Sequence, residues 1–324
     1  MPRSVSMSNP GDPEVLKLTE VAVEMPTAGE VQIRQSIIGV NFVDLYFRSG
    51  LYSVPTLPAV LGLEGAGRVE AVGPGVVSLE VGDRVAYAGM PLGAYADLRN
   101  IPEGRLIRLP DHVSDEVAGS SMLRGLTAHM LLHKVYRIAP GDWLLVHAAA
   151  GGLGQWLLRW GKRLGARTIG TVGSEAKRTL ALQAGADEVL LHSDPAWADR
   201  AKHIADGRGV HLAVDGIGGA RLAETLRCVR PFGVVASVGQ AAGPIPPINV
   251  EELGPVRSIY LARPSVIAYC NDPTLYRQGA ADLLDVIAMG LTSPIGAAYP
   301  LHEAAKAHAD LGAGRTTGSV VLTV

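Results

Sequence analysis

The protein has 324 residues, 48% of them hydrophobic and 19% charged, with 29 Lys+Arg against 31 Asp+Glu for a formal net charge of -2. At roughly 150 residues per domain that length holds about two domains with substantial cores, and the composition excludes a disordered chain. The near-neutral balance, the lack of a basic stripe and an aromatic content of only 5% argue against a nucleic-acid role.

The first third reads as strands and turns. EVQIRQSIIGVNFVD alternates and then runs apolar, and the segment from Gly65 to Gly89 is cut into short β-rich pieces by Gly73-Pro74-Gly75 and Gly82-Asp83. Strands at this spacing predict a barrel or sandwich. Near residue 115 the character changes to a helix with Ser114 as its cap signal. From residue 142 strand and helix alternate: WLLVHAAA, then a helix carrying Leu153, Trp156, Leu157, Trp160 and Leu164 on one stripe, then RTIGTVG, EAKRTLALQAGA, EVLLH, AWADRAKHIADG, VHLAVDGIG, ARLAETLRCV and GVVASVG. Apolar strands alternating with helices predict a parallel sheet covered on both faces. Beyond residue 240 come a Pro/Gly-rich loop, the strand-like SIYLARPSVIAY interrupted by Pro264, two helices and a terminal strand. This order predicts a nucleotide-binding domain inserted between two parts of a β-rich one.

Cys228 and Cys270 are too few for a disulfide framework or a four-cysteine zinc lobe. The N-terminal MPRSVSMSNPGDPEV has no signal-peptide core, and no run of 18 apolar residues is present. The expected setting is cytoplasmic.

At 148–154 an apolar strand gives way to Gly151, Gly152, Leu153 and Gly154, which open a helix. A dinucleotide diphosphate needs bare backbone N–H groups at a helix N-terminus, where side chains would block it. The usual G-x-G-x-x-G pattern would place its first glycine at Ala149, so a tight structural turn is the alternative reading. The next strand ends at Gly173-Ser174 with no acid at its tip to hold a ribose 2′-hydroxyl. Ser174, Lys177 and Arg178 suit a 2′-phosphate and hence NADPH. Against this, Glu175 could partly neutralise the cations, or they could form a solvated helix face.

The segments GDPEVL (11–16), GVNFVDLYFRSGLY (39–52), LPAVLGLEGAGRVEAVGPGV (57–76), GDRVAY (82–87), LGAYAD (92–97), RGLTAHMLL (124–132), HAAAGGLG (147–154), IGTVGS (169–174) and RPS (263–265) resemble the quinone oxidoreductases of the medium-chain dehydrogenase/reductase superfamily, the zeta-crystallin-like, zinc-free group. The resemblance implies an α/β fold, a GroES-like β-rich catalytic domain plus a Rossmann doubly wound parallel sheet. Residues 1–125 and 263–324 would form the first and 126–262 the second. It implies NADPH in the interdomain cleft, a small conjugated acceptor, and a homodimer joined through Rossmann sheet edges.

By the same resemblance Asn41, Phe42, Asp44, Tyr46 and Tyr52 line the nicotinamide end. Asn41, Tyr46 and Tyr52 are the catalytic candidates, the tyrosines as hydrogen-bond donors or a proton relay to the reduced acceptor. Their alternative is half-buried packing. Thr127 and Met130 resemble nicotinamide contacts, with Met130 in place of an aromatic. His192 stands where the family has a tyrosine and would meet the 2′-phosphate, or be a solvated histidine. Ile217 and the Gly239-Gln240 loop follow strand ends. Arg263, Pro264, Ser265 and Arg315 resemble residues closing over the cofactor. Gly62-Leu63-Glu64 stands where zinc relatives read Gly-His-Glu, so no metal is expected and Glu64 reads as structural. The implied activity is NADPH-dependent quinone reduction. An NADPH-dependent enone or alkenal reductase, or a non-enzymatic NADPH-binding protein with RNA contacts, is the alternative.

Overall fold

The computed structural model describes residues 1–324 and divides into two compact units, Met1–Leu126 with Val266–Val324, and Thr127–Ser265. In chain order the first unit opens with β1 (Arg3–Met7), β2 (Lys17–Glu20), β3 (Glu30–Val40), α1 (Phe42–Ser49), β4 (Ala59–Val60), β5 (Glu64–Val72), β6 (Arg84–Ala88), β7 (Leu98–Pro102), β8 (Ile107–Arg108) and α2 (Asp115–His129), whose residues from Thr127 onward belong to the second. The second contains β9 (Trp143–Val146), α3 (Gly152–Arg163), β10 (Arg167–Val172), α4 (Glu175–Gln183), β11 (Glu188–Leu191), α5 (Trp197–Ile204), β12 (Val210–Asp215), α6 (Arg221–Arg227), β13 (Val229–Ser237) and β14 (Tyr260–Ala262). The first unit resumes with α7 (Val266–Asn271), α8 (Pro273–Ala288), β15 (Ile295–Pro300), α9 (Ala304–Gly312) and β16 (Ser319–Thr323).

In the first unit β3 is the hub. It pairs antiparallel with β5, β7 and the C-terminal β16, within a sheet ordered β15-β16-β3-β5-β6-β8. A small sheet β2-β1-β4 stands beside it. Three elements depart from the sequence reading. NFVDLYFRSG is a helix rather than strand and turn. Its start is fixed by the Asp44 carboxylate accepting the Asn41 N–H at 2.8 Å, and its end by Gly50 at φ 81°. The segment after Pro264 is the helix α7 rather than a continued strand, because proline ends the ladder there. IGAAYP forms β15, which has little apolar alternation and exists through parallel pairing with β16.

The second unit is a six-stranded parallel sheet ordered β11-β10-β9-β12-β13-β14. This is the doubly wound order, with the first strand central and the direction of winding reversing between β9 and β12. Trp143, Leu145, Ile169, Leu190, Trp197 and Val235 anchor one of its cores. The helix that begins as α2 continues as a π-helical turn over Met130–Val135.

Candidate functional site

The parallel strands deliver their carboxyl ends to one edge of the second unit. There lie the turn after β9, the Gly173-Ser174 turn after β10, His192 after β11, Ile217 after β12 and Gly239-Gln240 after β13. The first turn is built for a close approach. Ala148 is left-handed at φ 49°, and its carbonyl accepts the Gly151 N–H at 2.8 Å. A Cβ on Gly154 would lie 2.4 Å from that carbonyl oxygen, so Gly154 lets α3 sit against the strand end. Gly151 caps α3 without a side-chain hydrogen bond, leaving bare N–H groups at a helix N-terminus. These features fit a dinucleotide diphosphate.

At the next tip Ser174 caps α4 by accepting the Lys177 N–H, and Arg178 lies 3.6 Å from Glu175. That pairing partly commits Arg178, whereas the charge of Lys177 acts on His192. The His192 Nε2 lies 2.7 Å from Thr171 Oγ1, and both Nη atoms of Arg221 lie 3.3 Å from the His192 carbonyl. Burial, the neighbouring His147 and Arg221 push the His192 imidazole down to about 4. Arg221 thus stands against the residue that follows β11. Its only sequence signal was its position opening the helix after the GIGG turn. Arg263 donates to the Ser237 hydroxyl at 2.7 Å and the Gly239 carbonyl at 3.2 Å, bracing the Gly239-Gln240 loop. Thr127 and Met130 flank the start of the π-helical turn, and Pro264 and Ser265 close the second unit.

In the first unit α1 brings together Asn41, Phe42, Asp44, Tyr46 and, just beyond it, Tyr52. The rings of Tyr46 and Tyr52 pack edge to face at 5.3 Å, and the Tyr52 N–H donates to the Tyr46 carbonyl. Phe42 is exposed at the first helical position. The Asn41 amide nitrogen donates to Glu64 Oε2 at 2.8 Å. Glu64 is fully buried and also accepts from Arg124 Nη1 at 3.1 Å and the Leu123 N–H at 2.7 Å. Burial raises its carboxyl, but three donors and no acceptor face it, so it is held as a carboxylate. A Cβ on Gly39 would collide with this carboxylate at 1.9 Å, which explains a glycine in the middle of β3. Both Glu64 oxygens are thus engaged by donors of the fold itself.

Asp44 is also fully buried, and burial drives its carboxyl up to about 7. The Tyr95 hydroxyl lies 3.1 Å from Asp44 Oδ2 and 2.8 Å from His308 Nε2. Burial and the charge of Arg48 push His308 down to about 3. Nothing in the sequence linked Tyr95 and His308 to α1. Arg315 donates to Asp310 Oδ1 at 2.8 Å and 2.6 Å, so its guanidinium is already paired. No group of three or more His, Cys, Asp or Glu is arranged to hold a metal ion.

Comparison with known proteins agrees with this architecture. Residues 27–111 match the alcohol dehydrogenase GroES-like domain, and residues 152–283 match the zinc-binding dehydrogenase family. The chain is 42% identical over 323 residues to a quinone oxidoreductase of Pseudomonas aeruginosa, covering 99% of each. It is 40% identical over 319 residues to a 2-haloacrylate reductase of Burkholderia, covering 96% of each. Among solved structures, the Escherichia coli quinone oxidoreductase complexed with NADPH superposes with a TM-score of 0.96 at 38% identity, covering 99% of this chain and 100% of that one. Likeness of that extent, over both units and on the doubly wound order seen here, makes the chain a member of the quinone oxidoreductase group of the medium-chain dehydrogenase/reductase superfamily.

Proposed function

We propose that the protein reduces quinones with NADPH. The observation that carries this reading is the β10 tip, which ends in Gly173-Ser174 with no acid at the strand end to hold a 2′-hydroxyl, with Lys177 in the first turn of the helix that Ser174 caps and Arg221 against the His192 carbonyl beyond the adjacent β11. Gly151, Gly152 and Leu153 at the α3 N-terminus would hold the diphosphate, and Gly173 leaves the tip open: a Cβ there would meet nothing within 4 Å. NADPH supplies the hydride when bound. Tyr46 and Tyr52 would donate hydrogen bonds to the acceptor oxygen and hand on a proton. Asn41 and Asp44 fix the start of the helix that carries Tyr46. A quinone is already a strong electrophile, so positioning and hydrogen bonding suffice.

The same reading is zinc-independent. Leu63 occupies the position of the ligand histidine, and both Glu64 oxygens are engaged by donors. Elemental analysis should find no stoichiometric zinc, and a ratio near one per chain would overturn it. A homodimer and a cytoplasmic setting belong to the proposal. The short edge strand β14, with Tyr260 58% exposed, supports the first, and two free buried cysteines support the second. No helix is long and apolar enough to cross a membrane.

The deciding experiment is NADPH oxidation followed by absorbance with a panel of quinones and enones, repeated with NADH. Turnover with quinones and preference for NADPH support the proposal. Turnover only with activated alkenes favours the second reading, an enone or haloacrylate-type reductase, which the 2-haloacrylate reductase relative motivates.

A further inference from the structure

A row of single-proton hydrogen bonds runs through the second unit from Asp215 to His192, and proton counting gives it a direction. Asp215 is fully buried, and its Oδ1 accepts the N–H groups of Ile217 at 2.8 Å and Gly218 at 2.9 Å. Its Oδ2 lies 2.7 Å from Thr225 Oγ1. A carboxylate only accepts, so the Thr225 proton points at Asp215. The competing acceptor, the Arg221 carbonyl, is farther at 3.2 Å. Thr225 Oγ1 therefore offers a lone pair to His147 Nε2 at 2.9 Å, and His147 carries its proton on Nε2. Burial holds the His147 imidazole below its ordinary value, so the ring is neutral and its Nδ1 is a lone pair. Thr171 gives its one proton to that Nδ1 at 2.6 Å and presents a lone pair to His192 Nε2 at 2.7 Å. His192 is kept neutral by burial and by the charges of Arg221 and Lys177, against the opposing Asp215. Its proton is thus fixed on Nε2, which faces Thr171, and Nδ1 is left as an acceptor.

His192 directly follows β11, beside the β10 tip, with Val172 and Leu191 in register. We propose that the row Asp215–Thr225–His147–Thr171 makes His192 an acceptor for a hydrogen-bond donor on the adenosine of the bound dinucleotide, the ribose 3′-hydroxyl or the adenine amine. The 2′-phosphate dianion offers only acceptors, and it falls to Ser174, Lys177 and Arg221. Asp215, Thr225, His147 and Thr171 are positioning residues. The proposal rests on reading this edge as the NADPH site. It also links two nucleotide loops, because the carboxylate that starts the row caps the Ile217 turn.

The test is a binding titration with NADPH and NADH, combined with nitrogen-15 NMR of the histidine rings. His192→Phe should raise both Kd values by the same factor, about five- to tenfold for one lost hydrogen bond. A rise confined to NADPH would make His192 a phosphate ligand and overturn the proposal. With NADPH bound at pH 7.5–8, roughly one unit above the ordinary imidazole range, the His192 ring should be neutral with its proton on Nε2. An imidazolium, or a proton on Nδ1, would also overturn it. Thr171→Val should admit the second tautomer and weaken both dinucleotides, and Thr171→Ser should restore the native values. A Thr171→Val protein with unaltered tautomer and Kd would remove the row from the argument. Nicotinamide hypoxanthine dinucleotide phosphate, which lacks the amine, separates the two donors. Weaker binding that His192→Phe does not worsen assigns the amine, and native binding assigns the hydroxyl. If the native protein binds neither NADPH nor NADH, the site reading itself fails, which is distinct from a loss that merely ignores His192.

Discussion

Glu64 in the first unit and Asp215 in the second are both fully buried carboxylates, but their surroundings differ in kind. Glu64 meets a guanidinium, an amide and a backbone N–H, and its charge is answered on the spot. Asp215 meets two backbone N–H groups and a hydroxyl, and no formal cation donates to it. The ion pair neutralises the first site locally. The neutral row makes the second directional, because each hydroxyl and imidazole passes on the orientation it receives.

The largest expected effect tests this contrast in stability. Arg124→Met strands a buried carboxylate and should cost about 3–5 kcal/mol in urea denaturation. Thr225→Ala, which removes one neutral link from Asp215, should cost about 1–3 kcal/mol. Equal losses would erase the distinction between the two carboxylates.

The second test uses pH. Asp44 titrates near 7 in the fold against an ordinary 3.8, so the stability it contributes is full at low pH and falls as pH rises through about 4 to 7. His308 titrates near 3 against 6.5, so it contributes the opposite slope, gaining stability as pH rises through about 3 to 6.5. Joined through Tyr95, the two largely cancel. Asp44→Asn should unmask stability that rises with pH from 4 to 6.5, and His308→Gln stability that falls over 4 to 7, each by roughly 2–4 kcal/mol. Equal slopes in the two variants would mean that the groups do not compensate.

Smaller effects are expected at the dinucleotide edge. Gly154→Ala forces a Cβ toward the Ala148 carbonyl and should cost about 1–3 kcal/mol in thermal or urea unfolding while weakening NADPH binding. Lys177→Ala should weaken NADPH about tenfold and leave NADH nearly unchanged, read from fluorescence titration. Parallel losses for the two cofactors would remove Lys177 from the phosphate site.

The second unit was largely legible because its signals are local. Apolar strands, helical stripes and the glycine turn each lie within a dozen residues. In the first unit α1 was missed although Asn41, Asp44 and Gly50 carry the marks of a capped helix, because its apolar run looked like a continuing strand. β15 had no such mark, since small residues hold it only by pairing with β16. Of the site, the glycines and Ser174 could be read from spacing. The links from Thr171 and Thr225 to two histidines could not, for they join residues brought together only by the winding of the sheet. Tyr95 and His308 are 213 positions apart and meet for the same reason.

The left-handed Ala148 has an evolutionary consequence. A non-glycine residue there carries about 1 kcal/mol of backbone strain, and its carbonyl is the atom that excludes a side chain at position 154. The two positions therefore constrain each other. A substitution at 154 would be tolerated only after the turn at 148 had changed, so the effects of changes at the pair should be non-additive and their order of acquisition should matter.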